Sequence, residues 1–207
     1  NVARGLTPLE NPKVHAAVCL DCHFGSATQG QFVNHRIMAA GHPRISFELD
    51  LFSSLQQHHD EDADYAARKG RTDHVQLWAV GQALALKRSL DLYASASRGT
   101  EGAFPEFYFF DCHSCHRRIY DQADAVKTGA NNPGRPIPEG MPPYNDENMI
   151  MLSAAARVTA PASAVQFDKA SKDFHAALAL DRSSAIAAAR RCRAPHYGRC
   201  LTAGRSG

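Results

Sequence analysis

Apolar positions along the chain recur at three- and four-residue steps, with no strand-like alternation of any length, which predicts a mainly α protein with long loops and little or no sheet. Residues 12–23 read as a short helix opening at Pro12. A loop over 25–30 follows, then 31–40 (QFVNHRIMAA) as a helix or turn closed by Gly41. Pro43 stands where a first helical residue belongs, so RISFELDLFSSLQQHH is expected to be helical, burying Phe47, Leu51, Phe52 and Leu55 on one face. The acidic run 60–64 reads as a solvated connection. The clearest helix spans 72–98, capped by Thr72 or Asp73, repeating through Leu77, Trp78 and Leu84, and stopped by Gly99. Next, PEFYFFDCHSCHRRIYD reads as a helical approach rich in aromatics. Residues 129–145 hold five Pro and three Gly and form a loop, and alanine-rich helices are expected over 146–158 and 163–193. No repeat recurs at a fixed period.

Composition narrows this further. The 207 residues suffice for one or two compact domains. A formal net charge of +2 gives no reason to expect nucleic-acid binding or a polybasic membrane face. No apolar run approaches the roughly 20 residues of a spanning helix. Eleven His and six Cys stand out. The first residue, Asn1, fits a processed precursor or an excised fragment, so export is inferred from the cysteines rather than from a presequence.

Those cysteines fall into three pairs. Cys19/Cys22 and Cys112/Cys115 are each followed at once by His, as CLDCH and CHSCH. C-x-x-C-H is the covalent attachment signature of c-type haem. Two thiols one helical turn apart can add to the two vinyl groups of one porphyrin, and the next residue's imidazole reaches the iron from the same turn. Cys19 and Cys22 would hold one haem with His23 on its iron; Cys112 and Cys115 would hold a second with His116. A random residue is His only a few per cent of the time, so chance supplies both on the order of once in 500. The competing readings are a four-thiolate zinc site, structural disulfides and a thioredoxin-like redox pair. Covalent haem attachment points to a periplasmic or extracellular address. There, Cys192 and Cys200 would close a small disulfide loop.

The resulting organisation is a di-haem core over 1–128, the Pro/Gly-rich loop 129–145, C-terminal helices packing on the core over 146–193, and a tail over 194–207. Since each porphyrin buries a large apolar surface, the chain without haem should fold poorly. The two attachment segments lie about 90 residues apart and serve as separate local units facing a shared core.

Nine His remain for the second axial positions. His there gives a low-spin, low-potential centre, Met a higher potential, and an empty position a reactive iron. His42, between Gly41 and Pro43, sits on stiff backbone before a helix start and is the first choice as a distal ligand. His35 lies seven residues earlier, two helical turns away on the same side. The alternative for His35 is a surface position beside Arg36. His58, His59 and His74 have polar, charged surroundings that favour exposure, and His113, His175 and His196 read as exposed or peripheral. His15, one turn before Cys19, is too close for simple distal ligation of the same haem but could reach another. Arg36, Arg44, Arg117 and Arg118 are candidate partners for haem propionates, with solvation as the alternative.

The stretches CLDCHFG…FVNHRIMAAGHPRISFELDLFSSL, VQLWAVGQALALKRSLDLYA and FPEFYFFDCHSCHRRIYD resemble the multihaem cytochromes c. More specifically, over roughly residues 12–120, they are similar to the tetrahaem c-554/c-prime family. That resemblance implies closely packed bis-His haems that pass electrons between enzymes, with His35 and His42 at distal-ligand positions. Members usually carry four or more haems; this chain carries two attachment motifs. The expected function is electron transfer by two covalently attached haem c groups and their iron. The partners would be other redox proteins or cytochromes, with a homo-oligomer or haem-threaded polymer as a further expectation. The alternatives are a redox enzyme with one open iron, reducing nitrogen oxides or peroxide, and a subunit of a conductive filament.

Overall fold

In the computed structural model, residues 2–28, 30–42, 44–57, 60–99, 106–112, 116 and 141–193 are described. Among them the protein is mainly α-helical. The helices are α1 (Pro12–His23), α2 (His35–Ala39), α3 (Leu49–Leu55), α4 (Ala63–Lys69), α5 (His74–Tyr93), α6 (Glu147–Thr159), α7 (Pro161–Leu178) and α8 (Arg182–Cys192). Short 3-10 turns occur at Val2–Arg4 and Phe107–Phe109. No strand forms among the described residues; the β-type pairing there is an isolated antiparallel bridge between Phe110 and Tyr144.

α1 forms where the chain says it should: Asn11 accepts the Lys13 amide, Pro12 pre-sets the first φ, and Ala16 and Leu20 bury one face. α5 is the central post. Its residues from Leu77 to Tyr93 are buried on several sides, because α1, α3, α6 and α8 all pack against it. α6 and α7 pair, and α7 and α8 form a helical hairpin.

Several expected elements fall elsewhere. α3 starts at Leu49 and not at Pro43, because Glu48 folds back to accept the Asp50 and Leu51 amides and so defines the N-terminus. Its buried residue is Leu49, whereas Leu51 is 52% and Leu55 73% exposed: α3 docks by its first turn only. The acidic run 60–64 is exposed, yet Asp62 accepts the Tyr65 amide and opens α4. α5 ends at Tyr93, short of Gly99; Ser95 accepts the Arg98 amide, and Arg182 donates to the Tyr93 carbonyl at 3.0 Å from across the fold. The approach to the second cysteine motif is a single 3-10 turn and not a longer helix. Its backbone is drawn out to pair with 143–145: Asp111 N–H donates to Pro143 and Asn145 N–H to Phe109, both at 2.9 Å. The expected helix 163–193 is two helices, since Asp181 accepts the Ser184 amide and starts α8 afresh. His175, expected at the periphery, is 4% exposed, with Nδ1–H donating to the Ser171 carbonyl and Nε2 3.1 Å from Asp146.

The contact between α3 and α5 depends on Gly81, where an added Cβ would lie 2.6 Å from Leu49 Cβ. Alanine gains about 1 kcal/mol of helix propensity over glycine, but overpacking costs about 1–3 kcal/mol. Because the Leu49 atom is fixed to its backbone, Gly81→Ala is expected to lower stability by about 1–2 kcal/mol in denaturant unfolding; a rise would show that α3 yields.

Candidate functional site

The first cysteine motif occupies the last turn of α1. Leu20 anchors that turn in the core, leaving Cys19 half-buried, Cys22 exposed and His23 projecting toward α3. Phe47 stacks on the His23 imidazole with centroids 4.5 Å apart and planes 21° from parallel, and Phe52 meets it edge-on at 5.3 Å. Burial, and secondarily the Cys22 thiol, hold the Cys19 thiol above its ordinary pKa. Beside Cys19 opens a cavity of about 1300 Å³, lined by His15, Val18, Leu77, Trp78 and Phe167 among others. Its wall also carries Glu10, Asp50, Glu61, Lys69 and Arg71, and Cys19 is the motif residue that lines it.

The second motif begins directly after the Phe110–Tyr144 bridge. Cys112 is exposed, and the His116 N–H donates to its carbonyl at 2.8 Å. Cys115 lies outside the described residues. The ring of His116 faces His35 of α2 with centroids 6.2 Å apart and planes 37° from parallel. Two imidazoles on opposite sides of one metal, each bonded at about 2 Å, place their centroids about 6 Å apart. The observed centroid separation is of that size.

His35 is held from two sides. Its N–H donates to Glu106 Oε1 at 2.8 Å, and Phe107 meets its ring edge-on at 5.0 Å. His42 is exposed just beyond α2, its amide donating to the Ile37 carbonyl at 3.2 Å, and no ring of another described residue contacts it. The fold thus brings His35 to His116 but does not bring His42 to either motif histidine among the described contacts. Among the described residues, no three His, Cys, Asp or Glu side chains converge as an ion cage. His58, His59, His113, His196, Cys200, Arg117 and Arg118 lie outside the described residues. Cys192 is buried at the end of α8.

Of the arginines singled out in the sequence, Arg44 is engaged within the fold. Its guanidinium lies 4.8 Å over Tyr108, donates to the Tyr108 carbonyl at 3.2 Å, and pairs with Glu147 at 3.5 Å. Arg36 is exposed and makes no such contact. Sequence reasoning passed over Glu106, a lone acid in the aromatic run FPEFYFF, although an acid embedded among aromatics was itself a signal.

No protein-family model, curated protein or solved structure matches the chain.

At the cavity's outer rim, His74 Nδ1 lies 2.7 Å from Asp50. That hydrogen bond and the Asp50 charge raise the His74 pKa above its ordinary value of 6.5. The pair therefore stabilises the fold fully below that unfolded value and loses its contribution as pH rises through the higher folded value. With His74 59% exposed, the effect is expected to be only a few tenths of a kcal/mol. Unfolding of the native chain and of His74→Gln at pH 5 and pH 9 checks it, and the difference between them should shrink at the higher pH.

Proposed function

We propose that the chain is an exported di-haem c-type cytochrome that transfers electrons. Cys19, Cys22 and His23 would hold the first haem and its iron. Cys112, Cys115 and His116 would hold the second, with His35 as a further ligand to its iron. The observation that carries this reading is the pair of His35 and His116 with ring centroids 6.2 Å apart, the His116 amide bonded to the Cys112 carbonyl.

Bound iron supplies the chemistry, cycling between Fe(III) and Fe(II). The protein's own part is to hold, orient and shield. The last turn of α1 presents two thiols and an imidazole on adjacent positions, with Phe47 and Phe52 covering His23 from water. The 3-10 turn Phe107–Phe109 supplies Phe107 against His35 and buries Tyr108 and Phe109 beneath the second motif. The resemblance to multihaem cytochromes supports the same assignment and gives His35 and His42 as distal-ligand positions. No helix among the described residues is long and apolar enough to cross a membrane. Partners are other redox proteins or cytochromes that dock where haem edges reach the surface, or further copies of the chain in a polymer.

A second reading rests on the contrast between the two motifs. His116 faces an imidazole, whereas His23 faces Phe47 and Phe52. An iron on His23 without a distal imidazole would be open to nitrogen oxides or peroxide, making the protein a redox enzyme.

Electron paramagnetic resonance of the oxidised haem-loaded protein separates these readings. Two haems per chain, both low-spin, are expected for the carrier; a high-spin share responding to nitrite or peroxide, with CO binding after reduction by dithionite, marks the enzyme. His35→Ala is expected to turn one haem high-spin and, once reduced, able to bind CO. A chain expressed with haem-attachment machinery that carries no haem overturns the assignment.

A further inference from the structure

Glu106 is 1% exposed, the one buried carboxylate among the described residues. A buried carboxylate is costly unless its oxygens are engaged. It stands at the N-terminus of the 3-10 turn Phe107–Phe109 yet makes no side-chain cap to that turn. Its Oε1 instead reaches across the fold to accept the backbone N–H of His35 at 2.8 Å.

That bond matters because α2 is only five residues long. So short a helix has almost no stability of its own and leaves its first amides without intrahelical partners. Asn34 accepts the Ile37 amide, and Glu106 accepts the His35 amide, so the first turn is held by one local and one distant side chain. The next residue, Phe107, meets the His35 ring edge-on. Consecutive residues of one rigid segment thus hold both the backbone and the imidazole of His35. The same segment leads within a few residues to Cys112, whose carbonyl receives the His116 amide. The tie therefore runs between the chain segment that carries His116 and the imidazole that faces it.

We propose that Glu106 is the positioning residue for His35: its buried carboxylate fixes the distal imidazole opposite His116. This rests on the reading of His35 and His116 as the axial pair of the second haem. Glu106 touches neither porphyrin nor iron in this assignment and acts only through His35.

The test compares Glu106→Gln, Glu106→Asp and Glu106→Ala as haem-loaded proteins, with haem content measured beside the paramagnetic resonance spectrum. Gln keeps the length and one acceptor oxygen, so both haems are expected to stay low-spin. Asp keeps the acid but retracts the acceptor, and Ala removes it; both should lower His35 occupancy on the order of 10- to 100-fold, the usual effect of losing an outer partner of a metal ligand. One haem then becomes high-spin, and added imidazole restores it. Wild-type spectra for both Asp and Ala overturn the proposal, as does a Gln variant that loses the low-spin signal as fully as Asp. Where the Ala variant fails to fold, the contrast between Gln and Asp decides alone. Absence of haem from the unaltered chain overturns the functional reading and this inference together, whereas a normal haem complement with unresponsive spin states overturns this inference only.

Discussion

The ring of Tyr93 is the point on which the fold turns. It ends α5 at 2% exposure, and three other rings meet it edge-on: Phe109 at 5.4 Å, Tyr144 at 5.9 Å and Phe174 at 5.7 Å. The Arg182 guanidinium covers it at 4.6 Å and donates to its carbonyl. Edge-to-face pairs of this kind contribute about 0.5–1.5 kcal/mol each beyond the apolar area they bury. Burial raises the Tyr93 phenol's pKa, against the opposing pull of Arg182, so the ring stays neutral in its site. Four segments distant in sequence converge here, and without that junction the segment leading to Cys112 has no footing on α5.

A second junction ties that segment to the other motif. Tyr108 donates its hydroxyl to the Phe24 carbonyl at 2.7 Å, immediately after the end of α1. Its ring lies 4.6 Å from Phe32 and 5.8 Å from Phe24. Arg44 braces the same ring and, through Glu147, the start of α6. Burial drives the Tyr108 pKa well above its ordinary value, so the hydroxyl remains a donor at any physiological pH. The two cysteine motifs therefore sit on one aromatic framework and not on separate lobes.

How much of this was legible in the chain varies with how local the cause is. α1 could be read to the residue because Asn11, Pro12 and the buried Ala16 and Leu20 act within one helix. The two C-x-x-C-H motifs are likewise local, and the first lies in the last turn of α1, while in the second the His116 amide bonds the Cys112 carbonyl. The start of α3 was misread because Pro43 is a favourable helix opener, while Glu48 captures the amides that define the actual end. Periodicity also placed Leu51 and Leu55 inside; the bare backbone of Gly81 admits only the first turn of α3.

Sequence by itself determined the helical class, the placing of two C-x-x-C-H motifs, and the lack of an apolar run long enough to span a bilayer. Each follows from side-chain order over a few turns. Tertiary structure alone decided that His35 meets His116 while His42 stays exposed, that α5 ends beneath Arg182, and that Glu106 is spent on a backbone amide 71 residues away. The reason is that such contacts depend on where whole helices come to rest. That placement is set by the summed packing of Tyr93, Tyr108 and their neighbours, which no short stretch of sequence contains.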